Sequence, residues 1–362
     1  MSRAHPLGPF RSLPYFRQMK ATRFSLSLLL LAALPIGVAF RPASDKLDLT
    51  PRFEVGQSFT ATTGFSAEGA LDDLAVLMNG ESVADGGAVS ADMEMTGNIV
   101  MSEEILEVRD GKIAKIRVTV DTMDVDVSGE VDAMGNAESI DESMEPELVG
   151  RTIEITIDED GEETRVDVTE DVEPLDDALM AGVTFKNHYE MFLPTAPVEE
   201  GEAFELAPDW ENLIREAMDG MDSGEMGADE MRAAQGMMNA FIDATTIEAI
   251  GTVTGVDDGI ATIEYELSAD MMIDDLLALI KSVAPAGEMD QLPPGIESNV
   301  EATAEFTGVG MFDMALGQMV SLEMAGDFEL SINASMEMDG ASGTAEVLMS
   351  GSMEMNGELT KN

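Results

Sequence analysis

The sequence predicts a mainly β protein of the α+β class, with a large curved antiparallel sheet or open half-barrel of long strands. We expect a few helices to cover the concave face of that sheet. The main observation is a run from Leu322 to Met338 in which apolar and polar residues alternate without a break. Alternation with a period of two is typical of a strand whose two faces meet different environments. At about 3.4 Å per residue this strand would be roughly 58 Å long, against a usual length of about 3–10 residues. Related runs at Met93–Met101 and Val347–Leu359 indicate that such strands recur.

Asp-Gly pairs between alternating runs predict tight hairpin turns, because both central residues of such turns adopt a positive φ. They occur at Asp110-Gly111, Asp160-Gly161 and Asp258-Gly259. After Val120 the apolar phase slips by one residue, which predicts a β-bulge at Asp121–Thr122. A C-terminal meander with turns near Gly317 and Asp339-Gly340 is predicted from three further runs: Val300–Met314, Val320–Met338 and Val347–Leu359.

Helical periodicity is less frequent. The last predicted helical segment, Met272–Ile280, begins after Asp270 as its predicted cap and is ended by Pro285. Residues 132–147 show no periodicity and are predicted to form a polar linker. The four helical predictions are Leu71–Met78, Trp210–Met218, Glu230–Ala244 and Met272–Ile280.

The N-terminus has the pattern of a secretory signal peptide. Basic residues precede the apolar run Phe24–Phe40, and Gly37-Val38-Ala39 supplies the small residues that a signal peptidase reads. The run is short for a membrane span and is interrupted by Pro35. We therefore expect residues 1–39 to be removed and residues 40–362 to form a β-rich domain that is exported to the periplasm or the extracellular space. No transmembrane segment is expected in the mature chain.

The chain is strongly acidic, with 72 Asp and Glu against 19 Lys and Arg and a net charge of −53. Such a surface repels nucleic acid and anionic lipid head groups, so neither is expected as a partner. The charge is spread along the sequence, which favours adaptation to a saline or cation-rich exterior over an acidic recognition patch. Weak binding of divalent cations is compatible with it.

The residues of common catalytic sites are scarce. There is no Cys, and His188 is the one histidine after the predicted signal peptide, which excludes a disulfide, a catalytic thiol and a zinc site of the N/S type. One Trp and three Tyr provide few platforms for a sugar, and paired carboxylates are too common to mark a glycosidase. The sequence therefore predicts a protein that is not an enzyme, with no catalytic residues and no cofactor.

Two motifs suggest metals, and each has a simpler interpretation. Asp124-x-Asp126-x-Ser128-Gly129 fits the first half of an EF-hand loop, but Gly135 stands where the bidentate Glu belongs, and a strand explains the same residues. Met-x-Met pairs could bind Cu(I) through their thioethers. They lie in phase with apolar runs, so we favour Met as a pliable filler of a sheet face. No metal site is assigned. The three pairs are Met93/Met95, Met336/Met338 and Met353/Met355.

Two short segments are similar to each other: Phe53-x-x-Gly56-x-x-Phe59 and Val198-x-x-Gly201-x-x-Phe204. They indicate either two diverged lobes, 45–190 and 191–362, or coincidence. Together with the Leu193-Pro194 block and the closing long strands, they resemble an uncharacterised family of exported bacterial β-rich proteins. That resemblance implies no activity. Long curved strands with intervening helices are also similar to the half-barrels of periplasmic lipoprotein carriers, by architecture alone.

The leading functional hypothesis is a non-enzymatic binding or carrier protein for an apolar ligand, such as a lipid or acyl chain, in a Met-lined groove. The alternative is a structural or surface-interaction protein of the cell envelope whose acidic exterior binds divalent cations. Alternation also describes outer-membrane barrels, but the aromatic girdles of that class are missing. The candidate ligand-binding residues lie on the longest strand and on the last helix: Met324, Phe328, Leu330, Ile332 and Met336, with Leu276 and Ile280.

Overall fold

A computed structural model describes residues 46–78, 81–82, 89–133, 136–144, 147–159, 161–170, 172–173, 175, 180, 192–206, 236, 239–283, 296–338 and 341–362. The predicted signal peptide, His188 and the helix predicted at Trp210–Met218 lie outside the described residues. So do Asp160 and the turn predicted at Asp339-Gly340.

The described residues form one open antiparallel sheet of thirteen strands. Its order is β7-β6-β4-β3-β1-β13-β12-β11-β10-β9-β8, with β2 paired to β1 and β5 paired to β4. Each half of the chain is a meander, and the halves join where β1 pairs with β13. The predicted fold class is confirmed. The strands are β1 (Ser58–Met78), β2 (Glu81–Ser82), β3 (Val89–Arg109), β4 (Lys112–Ala133), β5 (Asn136–Met144), β6 (Thr152–Ile157), β7 (Glu163–Asp167), β8 (Ala203–Glu205), β9 (Thr245–Asp257), β10 (Ile260–Ile273), β11 (Ile296–Asp313), β12 (Gln318–Met338) and β13 (Ala341–Lys361).

The hairpin turns predicted at Asp110-Gly111 and Asp258-Gly259 are confirmed. Asp110 and Asp258 have φ of 51° and 47°, and the glycine after each is also at positive φ, as a two-residue hairpin loop requires. Strands β6 and β7 pair across Gly161. The bulge is confirmed as well, since Val100 faces Thr122 and Met101 faces Val120, which leaves Asp121 without a register partner on β3. The long strand predicted at Leu322–Met338 is β12, which begins four residues earlier.

The helix predicted at Leu71–Met78 is wrong, because these residues continue β1. The register between β1 and β13 shifts between Leu71 and Asp73. This irregularity separates the apolar residues Leu71 and Leu74 by three positions, which imitates the spacing of a helix. Pairing with β13 along the whole of β1 decides in favour of the strand.

The linker predicted at 132–147 is also wrong, because it contains β5. Its residues are mostly polar in both phases, so no alternation marks it, and the strand is held by its register with β4 from Val125 to Ala133.

The last helical prediction is shifted. Met272 and Ile273 end β10, and the helix α1 spans Leu276–Val283. Its cap is Asp275 and not Asp270, since the Ala278 N–H donates to Asp275 Oδ1 at 2.8 Å. Of the predicted helix Glu230–Ala244, the structure describes helical residues at 236 and 239–243.

The core consists of two clusters near the end of the sheet where the turns 110–111, 258–259 and 314–317 lie. The N-terminal cluster includes Phe59, Ile105, Ile116, Val125 and Ile153. The C-terminal cluster includes Leu49, Val253, Ile263, Tyr265 and Phe312. An isolated antiparallel bridge between Leu47 and Val198 joins the segment before β1 to the segment before β8.

The two similar segments adopt the same turn. Gly56 and Gly201 have φ of 87° and 83°, and their N–H groups donate to Ile105 O at 2.8 Å and to Val253 O at 2.7 Å. In each turn a side chain closes the loop. Glu54 N–H donates to Gln57 Oε1 at 3.1 Å, and Glu199 N–H donates to Glu202 Oε2 at 2.8 Å. The division into two lobes stays a prediction, supported by this shared geometry.

Candidate functional site

One side of the sheet forms a continuous apolar face. On β12 it comprises Leu322, Met324, Gly326, Phe328, Leu330, Ile332, Ala334 and Met336. Their register partners on β11 and β13 are Ala, Gly, Val, Ile, Met, Phe and Ser298. Met355 in turn faces Phe65 on β1, which faces Gly97 on β3, which faces Val125 on β4. The apolar face therefore crosses at least six neighbouring strands in one register.

Burial on the apolar face varies along the strands. Leu322 and Leu359, next to the core clusters, are buried, whereas Met324, Phe328, Leu330 and Ile332 are half-buried. The distance from Met324 to Ile332 along β12 is about 27 Å at 3.4 Å per residue. This central stretch is the part of the face that its own core leaves partly accessible.

Helix α1 lies at the far end of the apolar face. Leu277 N–H donates to Ser298 Oγ at 3.0 Å, and Ser298 is in register with Ala334, on the same face as the candidate residues. Ser298 and Val300 are buried there, at 7% and 3% exposure. A helix thus covers the end of this face beside β11, as predicted.

Phenylalanine rings lie across glycines of the neighbouring strands. A Cβ at Gly351 would collide with the Phe328 ring, and one at Gly326 would collide with the Phe306 ring. The same relationship holds between Phe65 and Gly97 and between Phe204 and Gly251. Because glycine has no side chain, each ring can lie close to the backbone of the neighbouring strand.

The predicted ligand-binding residues are partly brought together. The five residues on β12 share the apolar face, and each is half-buried. Leu276 is half-buried in the first turn of α1. Ile280 lies in α1, but its side chain is outside the described part of the chain. Their role as a binding site stays a prediction.

The opposite side of the same strands is acidic. Glu323, Asp327 and Glu329 on β12 are exposed, and so is Glu354 between Met353 and Met355. Strands β8 to β13 contain a single basic residue, Lys361.

Basic residues of the first half are engaged in ion pairs on the acidic side. Arg117 pairs with Glu104 at 2.8 Å and with Glu154 at 2.7 Å, and Lys115 also contacts Glu154. Hydrogen bonds from Lys115 and Arg117 hold the pKa of Glu154 below its usual value.

A buried carboxyl, Glu103, was missed by the sequence interpretation. It is 4% exposed and is in register with Phe59 and Val118, on the core side of β3. Burial raises its pKa to about 8, so the side chain is neutral at pH 7, and its Oε2 has no hydrogen-bond partner. The available signal was its position in the apolar phase between Met101 and Ile105.

No group of three or more His, Cys, Asp or Glu side chains that could hold a metal occurs among the described residues. Asp124, Asp126 and Ser128 are exposed side chains of β4, as the strand interpretation predicted. Met353 and Met355 lie on the apolar face, in register with Gly326 and Met324.

Within the described ranges, no helix is long and apolar enough to cross a membrane.

Among the described residues, part of the apolar face is accessible to solvent. An indentation open to solvent lies at the seam of the two core clusters, where β12 meets β13. It is lined by Met319, Leu322, Met355 and Leu359. The indentation therefore lies at the inner end of the half-buried stretch.

No protein-family model matches the chain. A search of curated proteins also found no match. Solved structures with some similarity include the outer membrane protein OprG from Pseudomonas aeruginosa, at 10% identity and a TM-score of 0.19, over 85% of this chain and 97% of that one. An outer membrane channel from Pseudomonas putida F1 has 8% identity and a TM-score of 0.18, over 89% and 100% of the two chains. Pseudomonas aeruginosa OccK7 has 6% identity and a TM-score of 0.19, over 85% and 100%. Similarities this low carry no inference about the fold or function of this chain.

Proposed function

We propose that the protein is an exported, non-enzymatic binding or carrier protein that holds an apolar ligand, such as a lipid or acyl chain, on the apolar face. The observation that carries the proposal is the half-buried stretch from Met324 to Ile332 on β12. The apolar-phase residues of this stretch have uncharged register partners on both neighbouring strands. Large apolar surfaces that a protein's own core leaves partly accessible are typical of ligand or partner sites.

The composition of this stretch suits ligands of variable shape. Met324 and Met355 face each other across β12 and β13, and Met353 follows on the same face. Thioether side chains change rotamer at little cost, so they adapt to different apolar surfaces. Helix α1 at Ser298 and the core at Leu322 limit the stretch along the strands. A ligand is therefore expected to lie along β12.

The direct test is native mass spectrometry with lipid extraction on the mature chain, purified from cell envelopes under mild conditions. The proposal predicts a stoichiometric co-purifying apolar molecule. A clean protein mass, together with a large rise in Tm on adding Ca²⁺, would contradict it. That result would favour a structural envelope protein with a cation-binding exterior.

A matched pair of variants connects the ligand to the apolar face. Leu330→Glu adds one negative charge between Ala302 and Met349, on the apolar face. Ser331→Glu adds the same charge one residue further along, on the acidic side. With circular dichroism showing that both variants fold, Leu330→Glu is expected to lose the co-purifying molecule and Ser331→Glu to retain it. Equal retention by both variants would place the ligand elsewhere.

A further inference from the structure

We propose that the ligand of the apolar face is an amphiphile with an uncharged or cationic head group, and that the acidic side of the same strands disfavours anionic head groups. This inference rests on the proposed function and specifies its ligand class. It follows from where the charges of the described residues lie relative to the apolar face.

Carboxylates lie directly behind the half-buried stretch. On β12, Glu323, Asp327 and Glu329 are exposed and are next in sequence to Met324, Phe328 and Leu330. The neighbouring strands repeat this arrangement with exposed carboxylates of their own, namely Glu301 and Glu305 on β11 and Glu346 and Glu354 on β13. Because successive side chains of a strand point to opposite faces, each of these carboxylates is separated from the apolar face by one backbone.

Strands β8 to β13 offer almost no opposite charge to compensate for them; Lys281 lies outside these strands, in α1, and its side chain is not among those that the structure describes. In strands β8 to β13 the single basic residue is Lys361, at the last position of β13. That position is in register with Phe59, near the start of β1 and far along β13 from Val347. An anionic head group on the half-buried stretch would therefore find no guanidinium or ammonium from these strands.

Arginines in the first half of the chain form ion pairs with carboxylates. Arg117 pairs with Glu104 and Glu154, Arg151 with Asp167 at 3.2 Å, and Arg165 with Glu163 at 2.6 Å. Proteins that bind carboxylate or phosphate head groups commonly use the bidentate fork of an arginine. None of the forks named here lies on the strands that carry the half-buried stretch.

The summed field of these carboxylates is large enough to select among head groups. Surface potentials of several kT arise where charges of one sign cluster. A tenfold preference requires only about 1.4 kcal/mol. The screening length is about 30 Å at 0.01 M salt and about 3 Å at 1 M salt, so the preference should be strong in dilute buffer and weak in concentrated salt.

The test uses three fluorescent probes with the same pyrene-labelled alkyl chain and a hydroxyl, a trimethylammonium or a carboxylate head. Each is titrated into the mature chain at about 0.01 M salt, at a pH where the probe carboxylate is ionised. The hydroxyl probe should bind at least tenfold more tightly than the carboxylate probe. The trimethylammonium probe should displace the hydroxyl probe. The difference should close at about 1 M salt. A carboxylate probe that binds as tightly as the hydroxyl probe would overturn this inference and leave the proposed function standing. Failure of all three probes to bind would overturn both.

Two triple variants test whether the preference among head groups arises from the carboxylates on the acidic side of β12. Glu323→Gln with Asp327→Asn and Glu329→Gln removes three carboxylates behind the half-buried stretch. The control, Glu159→Gln with Glu170→Gln and Glu173→Gln, removes three exposed charges beside β6 and β7, at the β7 edge of the sheet and six strands away from β12. The first variant should narrow the affinity difference between the hydroxyl and carboxylate probes several-fold, and the control should narrow it much less. Equal narrowing by both, or by neither, would contradict an origin in the carboxylates behind the face.

Discussion

The Tyr265 hydroxyl donates a hydrogen bond of 2.9 Å to the Phe192 carbonyl oxygen, and the two rings meet edge to face with centroids 5.7 Å apart. Tyr265 is 1% exposed, and burial raises the pKa of its phenol. This contact fixes the segment that leads to Val198 onto the C-terminal cluster.

Tyr265→Phe should therefore destabilise the protein by about 1–3 kcal/mol, because the Phe192 carbonyl oxygen loses its buried donor while the ring is retained. Urea denaturation of the mature chain measures the change as a lower midpoint with an unchanged m-value. An unchanged midpoint would show that water replaces the hydroxyl at no cost.

Glu103 should make stability depend on pH. Its pKa is raised to about 8 in the folded chain, above the ordinary value of 4.5 that applies to the unfolded chain. The folded state thus binds the proton more tightly, so stability falls as pH rises from about 4.5 to about 8 and levels off above that range. The slope is about 1.4 kcal/mol per pH unit.

Glu103→Gln keeps the shape of the neutral acid and removes the titration. We expect the variant to be more stable than the wild type at pH 8, by an amount that shrinks as pH falls toward 5, in urea denaturation series. Glu104→Gln, at the next residue, which is half-buried on the opposite side of β3 and paired with Arg117, serves as the control. A constant difference between wild type and Glu103→Gln across this range would contradict the buried neutral carboxyl.

Asp167 should be a stabilising residue of the edge formed by β6 and β7. Its carboxylate accepts hydrogen bonds from Thr169 N–H and Oγ and from Leu175 N–H, and it pairs with Arg151. Although burial acts to raise its pKa, these donors outweigh burial and lower it. Asp167 therefore contributes to stability at pH values above the usual pKa of an aspartate. This contribution is lost as the pH falls through the lowered pKa of the folded state.

Asp167→Ala should cost about 2–3 kcal/mol, because two backbone N–H groups and a guanidinium lose a charged acceptor. Glu170→Ala, at an exposed position nearby, removes the same charge and should be close to neutral. Thermal unfolding of both variants at pH 7 measures the difference. Similar Tm values for the two variants would contradict the role assigned to Asp167.

The pairing of Phe328 with Gly351 is testable by a double-mutant cycle. Gly351→Ala should destabilise by about 1–3 kcal/mol, because the added Cβ meets the Phe328 ring and the backbone oxygen of Glu68. Phe328→Leu combined with Gly351→Ala should recover part of the loss, since the smaller side chain vacates the space. Additive losses would show that the ring and the glycine are independent.

The alternation in the sequence was sufficient to predict the long strands, the Asp-Gly turns and the bulge at Asp121, because each has a local signal. It failed where pairing decided the structure. Leu71–Met78 has helix-like spacing but is held as a strand by β13, and Asn136–Met144 has no pattern but is held by β4. The sequence also predicted correctly that the candidate residues on β12 share one face, because they occupy alternate positions in the apolar phase. Ser298, which fixes α1 to that face, and the buried state of Glu103 depend on strand order, which the sequence alone does not specify.

An apolar chain bound to the face carried by Met324, Phe328 and Leu330 can be located by photo-crosslinking. The mature chain is irradiated with a diazirine-bearing alkyl alcohol, and the adducts are mapped by mass spectrometry. We expect adducts concentrated on the apolar phase of β12 and β13, and we expect Leu330→Glu but not Ser331→Glu to lose them. Adducts spread over Glu323, Asp327 and Glu329 on the acidic side, or unchanged by Leu330→Glu, would contradict binding to this face.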